Sequence, residues 1–234
     1  MIILSSAMGK SGSTFFCNLQ EDILALSGIR SGQKYLRKIL GGRYVEKFHA
    51  HIVLILLLVN FFFGSIVVKT HTPPTWIIKW LIKHRIARAT YTYRDVRDVI
   101  LSALDNGARN RESGNNSGRF ANYYTVEDAL IVGLDSVYEM QKWVDFGNVL
   151  FIRYEDLIED RLNVLEKFVD FLSWDIPQNT LQELIQKHED NKIRTHNFNK
   201  GTTQRYINEM TPSEQRMCKE AFQDFLIRFN YETN

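Results

Sequence analysis

The feature that most constrains this chain is its first sixteen residues, MIILSSAMGKSGSTFF, in which an apolar run breaks into a loop of small residues and then into a helical pattern. Ile2, Ile3 and Leu4 suit a buried parallel strand, and from Thr14 onward Phe15, Phe16, Leu19, Ile23 and Leu26 recur at three- and four-residue intervals. Gly9, Lys10, Ser11, Gly12, Ser13 and Thr14 therefore stand at a strand-to-helix turn. Glycines there let the backbone approach an anion, the first N–H groups of the helix point at it, and Lys10 adds a full positive charge. Such a turn wants a phosphate or a sulfate. Set against the nucleotide-triphosphatase loop GxxxxGK[ST], Gly9-Lys10-Ser11 fits, whereas Leu4 stands where the first glycine belongs. A plain Gly/Ser connection beside one lysine is the competing reading, so a second signal has to decide.

With 234 residues and a net charge of +2, the chain is long enough for one sizeable core and too evenly charged to attract nucleic acid through its overall field. Cys17 and Cys218 lie in no metal-ligand spacing and are too few for a disulfide framework. The alternating His49 and His51 lack a third nearby ligand, so no metal site is expected. No secretion-type leader precedes the first strand pattern, and a cytoplasmic location is expected.

The run Ile52–Val68, IVLILLLVNFFFGSIVV, approaches the length of a membrane span. Asn60, Gly64 and the basic residues on both flanks favour instead a buried helix from Ala50 to Phe63, a break at Gly64–Ser65 and a core strand Ile66–Lys69. Membrane association is thus allowed but not favoured. Further along, the patterns predict a short helix Lys34–Leu40, a helix from a Thr75 cap through Ile86, a strand Ala89–Tyr93, a polar mobile loop Leu104–Asn122, a helix Val126–Phe146 and a strand Val149–Arg153. Helices over Leu162–Leu172, Asn179–His188 and Pro212–Phe229 follow. Alternating strands and helices imply an α/β fold: a single domain over residues 1–234, with a mainly parallel sheet covered by helices on both faces.

Several motifs stand where such a sheet gathers its strand ends: KSGST at Lys10–Thr14, KTH followed by proline at Lys69–Pro73, YRDVRDVILS at Tyr93–Ser102, YEDL at Tyr154–Leu157, and KG at Lys200–Gly201 shortly before the Thr-Pro start of the last helix. In this order they resemble the sulfotransferases that use 3′-phosphoadenosine 5′-phosphosulfate (PAPS), which are built on a P-loop-like fold. The resemblance implies that Lys10, Ser11, Gly12, Ser13 and Thr14 hold the 5′-phosphosulfate, that Arg94 and Ser102 grip the 3′-phosphate, and that Phe15 and Tyr154 contact the nucleotide. It further implies His71 as general base, with Lys10 and Lys69 stabilising charge on the leaving phosphate and the sulfuryl oxygens, in a direct in-line transfer without metal. Lys200 and Gly201 match a late 3′-phosphate motif in which Asn199 replaces the usual arginine, and Arg205 is the nearby cation that could compensate. The family's usual dimerisation motif is not reproduced, and the oligomeric state stays open.

Duller readings compete. Arg94, Asp95, Arg97 and Asp98 can be an ion-paired helix start, and for Arg97 and Asp98 that is the preferred assignment. The expected acceptor is a small molecule with a hydroxyl or amine, a polar metabolite in the manner of bacterial natural-product tailoring, and no nucleic acid. The alternatives are a P-loop nucleotide kinase, or a catalytically silent nucleotide- or membrane-binding protein on the same scaffold.

Overall fold

The structure, a computed structural model, describes residues 1–190 and 201–233. Along the chain come β1 (Ile2–Ala7), α1 (Ser13–Leu26), α2 (Gln33–Leu40), α3 (Ala50–Phe63), β2 (Ile66–Thr70), α4 (Trp76–Lys83) and β3 (Ala87–Tyr93). Then follow α5 (Val96–Glu112), α6 (Val126–Phe146), β4 (Leu150–Arg153), α7 (Tyr154–Glu159), α8 (Arg161–Leu172), α9 (Gln178–Asp190), α10 (Tyr206–Glu209) and α11 (Pro212–Arg228). The chain divides into two compact units. The first holds Met1–Ala7, Gly12–Tyr93 and the described part of Lys142–Phe198; the second holds Met8–Ser11, Arg94–Gln141 and the described part of Asn199–Asn234.

The first unit contains a four-stranded sheet in the order β2-β1-β3-β4, parallel throughout. β1 pairs on both sides, Ile3 opposite Val67 and Arg88, and every residue in it is buried, as its run of apolar and small side chains requires of a central strand. Ile3, Val67 and Ile152 join one core cluster with Phe16, Leu19 and Ile23 of α1, Phe168 of α8 and Leu184 of α9. Side chains alternate across a strand, so Ile2, Leu4 and Val68 face the other way; they too are fully buried, and both faces are covered. From β1 the chain steps outward to β2 and then crosses back over β1 to β3. That reversal is where open parallel sheets leave a crevice at their carboxyl ends.

The apolar run divides as the sequence predicts: α3, then Gly64 at φ 106°, then β2. A Cβ at Gly64 would stand 2.1 Å from the Arg30 carbonyl oxygen, so only glycine fits that break. No described helix is long and apolar enough to cross a membrane. The expectation that α3 is buried is corrected, because only one side is: Val53, Leu56 and Val59 are in the core while Leu54, Leu58, Phe61 and Phe62 are exposed.

Two other expectations fail for local reasons. α4 stops at Lys83 rather than Ile86 because Arg85 turns left-handed (φ 57°), with its N–H on the Ile82 carbonyl and that of Ile86 on the Leu81 carbonyl, the paired bonds of a Schellman end. At its start Thr75 has the extended backbone of a cap, but its hydroxyl makes no capping bond. In the second unit, the predicted loop Leu104–Asn122 is helical as far as Glu112. The remainder is pinned: Arg111 Nη1 donates to the Ala121 and Tyr123 carbonyls at 2.7 and 3.0 Å and its guanidinium lies over the Tyr124 ring. α11 begins as read, with Pro212 in its first turn behind a reciprocal Thr211–Glu214 capping box.

Candidate active site

The chain leaves β1 at Ala7 and turns through Met8–Gly12 into α1. Lys10 (φ 63°) and Gly12 (φ 75°) are both left-handed, and the buried Ser11 hydroxyl donates to the Met8 carbonyl at 2.7 Å, so the Ser11 side chain braces the turn. Gly12 caps α1 without any side-chain bond, which leaves the N–H groups of Ser13, Thr14 and Phe15 with no acceptor inside the helix. A second constraint acts on Gly12. Its missing Cβ would lie 2.7 Å from two ring carbons of Tyr154, the first residue of α7, so the Tyr154 ring sits directly on the loop backbone.

Around this helix start the first unit gathers the KTH motif. Lys69, next to last in β2, donates from Nζ to Thr14 Oγ1 at 2.6 Å, and burial lowers its pKa. His71, just past the strand, holds Nδ1 2.8 Å from the carbonyl oxygen of Ala7, the last residue of β1. A carbonyl only accepts, so Nδ1 carries the hydrogen and, in the neutral ring, Nε2 is the nitrogen that can take a proton. The Phe15 ring is half-buried between the Arg161 guanidinium, 5.0 Å from its centroid, and the edge-on His188 ring at 6.1 Å.

In the second unit Lys10 is half-buried and forms no ion pair among the described residues. Burial, reinforced by the positive charges of Arg109, Arg119 and Arg94 and opposed by Asp105, pulls its pKa down to about 8. Lys10, Arg94, Arg109 and Arg119 outnumber the carboxylates Asp98 and Asp105 beside them, a locus short of negative charge. Arg94, the residue after β3, is buried; its Nη2 donates to Asp98 Oδ2 at 2.9 Å and to the Thr202 carbonyl at 2.6 Å. Ser102 lies buried on α5 two turns further on. Gly201 is left-handed (φ 65°) and immediately precedes Thr202, so the late KG motif leads to the Arg94 guanidinium. Lys200 and Asn199 lie outside the described residues.

Arg205 is not available as a stand-in for an arginine at position 199. It is buried, with Nη2 on Asp105 Oδ2 at 2.8 Å and on Glu209 Oε2 at 2.7 Å, and Nε on Glu209 Oε1 at 2.9 Å. Arg97 is committed as well, to both Asp95 oxygens, to Glu232 and to the face of Tyr206 at 3.6 Å, the structural part preferred from the sequence. Asp98 proves more than a surface partner: it is fully buried and bridges Arg94 to the Tyr206 N–H at 3.1 Å, and burial raises its pKa despite both contacts. Sequence reading gave Asp98 only the part of an ion-paired helix start and passed over Arg109 and Arg119. Arg109, fifteen residues after Arg94, would have emerged only from recognising that α5 continues past Leu104. His49 and His51 stack on each other at 5.7 Å, and no metal-holding cluster of His, Cys, Asp and Glu is present among the described residues.

Comparison with known proteins gives the following. The family model described as "Sulfotransferase domain" matches residues 64–233. Similar solved structures include mouse sulfotransferase SULT7A1 complexed with PAP (TM-score 0.66, 18% identity, covering 96% of this chain and 84% of that one). They also include retinol dehydratase in a complex with retinol and PAP (TM-score 0.62, 16% identity, 96% and 81%) and the sulfotransferase domain from the curacin biosynthetic pathway (TM-score 0.55, 14% identity, 95% and 97%). At these identities the likeness is one of fold. No curated protein matches the sequence.

Proposed function

Since the chain belongs to the sulfotransferase domain family, we propose that it moves a sulfuryl group from PAPS to a hydroxyl or amine of a small-molecule acceptor, with His71 as general base and residues 1–234 acting as one catalytic domain. The observation that carries this reading is the bond from His71 Nδ1 to the Ala7 carbonyl: it ties the imidazole to the strand that feeds the anion loop and leaves Nε2 as the basic nitrogen. When bound, PAPS supplies an electrophilic sulfuryl group and a nucleotide leaving group.

The side chains present fit such a polyanion. The surplus of positive charge around Lys10 asks for one, and the Gly12 turn, roofed by Tyr154, supports a cradle made of backbone N–H groups at the start of α1. In this reading Lys10, Ser11, Gly12, Ser13 and Thr14 bind the 5′ side, Arg94, Ser102, Lys200 and Gly201 bind the 3′-phosphate, and Phe15 and Tyr154 hold the base. His71 Nε2 takes the acceptor's proton as the acceptor oxygen or nitrogen attacks sulfur, while Lys69, steadied by Thr14, neutralises the transferring oxygens. Positioning and charge stabilisation supply most of the acceleration, as in phosphoryl transfer. The position of the first P-loop glycine is held by Leu4, buried in the middle of β1, which argues against a nucleotide kinase. Retinol in one neighbour and a biosynthetic pathway in another support a small-molecule acceptor.

The test is incubation of the chain with sulfur-labelled PAPS and a panel of phenols, alcohols and amines. Wild type gives a labelled product. His71→Ala gives less than about a hundredth of it, within the range that general base catalysis supplies, while affinity for 3′-phosphoadenosine 5′-phosphate (PAP) stays within about twofold. Undiminished product from His71→Ala removes that histidine from the chemistry.

A further inference from the structure

The solvent side of α3 is built backwards. The helix has no Asp, Glu, Lys or Arg, and beyond its first turn, where Ala50 and His51 are exposed, its exposed positions are Leu54, Leu58 and Phe61 at helical spacing with Phe62 beside them, at 56, 45, 78 and 54%. A helix resting on a globular core ordinarily turns its polar residues to that side. The apolar surface continues onto α2, where Tyr35 stacks on Phe63 at 3.8 Å and 18° and both Tyr35 and Ile39 are exposed. Lys34 and Lys38, one turn apart on α2, are also exposed, and neither forms an ion pair among the described residues. Charge along this part of the chain is one-sided. Between Asp22 and Asp95 the sole acidic residue is Glu46, while lysines and arginines recur throughout, an imbalance hidden by the net charge of +2.

We propose that this α2–α3 face of the first unit docks on the surface of an anionic phospholipid bilayer. Leu54, Leu58, Phe61 and Phe62 enter the boundary between headgroups and acyl chains, and Lys34 and Lys38 meet the lipid phosphates. At 14 residues α3 is about 21 Å long, short of the roughly 30 Å hydrocarbon core, so it lies in the plane of the interface. Charge favours lipid over a second copy of the chain: in a two-fold dimer the patch meets itself, setting the α2 lysines against their own like charges, whereas an anionic surface complements them.

Flotation of the full chain on density gradients tests this, using vesicles of phosphatidylcholine mixed with phosphatidylglycerol beside vesicles of phosphatidylcholine alone, with sedimentation velocity in the absence of lipid. Aggregates do not float, so recovery in the upper fractions reads binding. The expected result is flotation with the anionic vesicles only, weakened by salt, reduced at least about tenfold in Phe61→Ser/Phe62→Ser and about tenfold in Lys34→Glu/Lys38→Glu. These side chains are exposed, so native far-UV dichroism is expected; should the phenylalanine variant lose it, Leu54→Gln/Leu58→Gln is read in the same way. Absence of flotation, equal flotation on neutral vesicles, flotation indifferent to the apolar substitutions, or a dimer that those substitutions dissolve overturns the proposal.

Discussion

Removing Arg94 tests how structure and binding share one side chain. Its guanidinium and the Asp98 carboxylate are 6% and 0% exposed and 2.9 Å apart, and the same Nη2 also serves the Thr202 carbonyl. Arg94→Ala leaves a fully buried carboxylate with only the Tyr206 N–H for company and a carbonyl without its donor. Loss of one member of a buried pair costs about 3–5 kcal/mol, so urea denaturation is expected to show a deficit of that size at neutral pH. The sign of its pH dependence follows from Asp98. Burial already holds the folded-state pKa above the ordinary carboxylate value, and taking away Arg94 raises it further. The neutral acid is then the form that the folded state prefers. The deficit is therefore full above the raised pKa and shrinks as pH falls through it. In Arg94→Ala/Asp98→Ala the stranded charge is gone, and roughly half of the lost stability is expected to return. Affinity for PAP, by calorimetry, stays at least about tenfold down in both variants, because the proposed reader of the 3′-phosphate is missing from both. A deficit below about 1 kcal/mol without pH dependence, or PAP affinity that recovers along with stability, would refute this division of labour.

Further outcomes follow from the same geometry. PAP binding should restore the full charge of Lys10, whose pKa is pulled down to about 8, so affinity is constant below pH 8 and falls by up to about tenfold per unit toward the ordinary lysine value of 10.5; calorimetry across that range checks it, and Lys10→Arg should flatten the profile. Gly12→Ala meets a left-handed φ and the Tyr154 ring together, and a loss of about 2–4 kcal/mol in urea titration is expected, with PAP binding weakened as the ring is displaced. Arg205→Met, which strands Asp105 and Glu209 at partly exposed sites, should cost about 1–3 kcal/mol in the same titration while PAP affinity holds within about twofold.

The parallel sheet and its loop were legible because their signals are local and mutually consistent. Ile2–Leu4 reads as a strand, Gly12 as the turn and Phe16, Leu19 and Ile23 as a helix face, and each residue does that in the structure. The end of α4 was not legible: its Schellman turn is made by Arg85, where sequence reading looks for glycine. Nor was the extension of α5 beyond Leu104, since Asn106, Gly107 and Asn110 are poor helix formers; Gly107 stands where a Cβ would meet the Phe120 carbonyl at 2.2 Å, and Asn110 is held by its bond to Arg119 O. The motif residues are recognisable singly, but their partners are not. That Arg205 is held by Asp105 as well as by its near neighbour Glu209, or that Arg94 reaches the Thr202 carbonyl as well as Asp98, depends on residues about a hundred positions away. The exposed stripe of α3 misleads for the opposite reason: hydrophobicity predicts burial, and Leu54, Leu58 and Phe61 are apolar without being covered.

The central claim is tested most directly by calorimetric titration of the wild-type chain with PAP, beside 5′-AMP and ATP with magnesium. Tight binding of PAP, with 5′-AMP and ATP each at least about tenfold weaker, is the predicted result, since only PAP offers both the 5′-phosphate for the loop and the 3′-phosphate for Arg94 and Ser102. ATP binding best, or no discrimination between PAP and 5′-AMP, would contradict it.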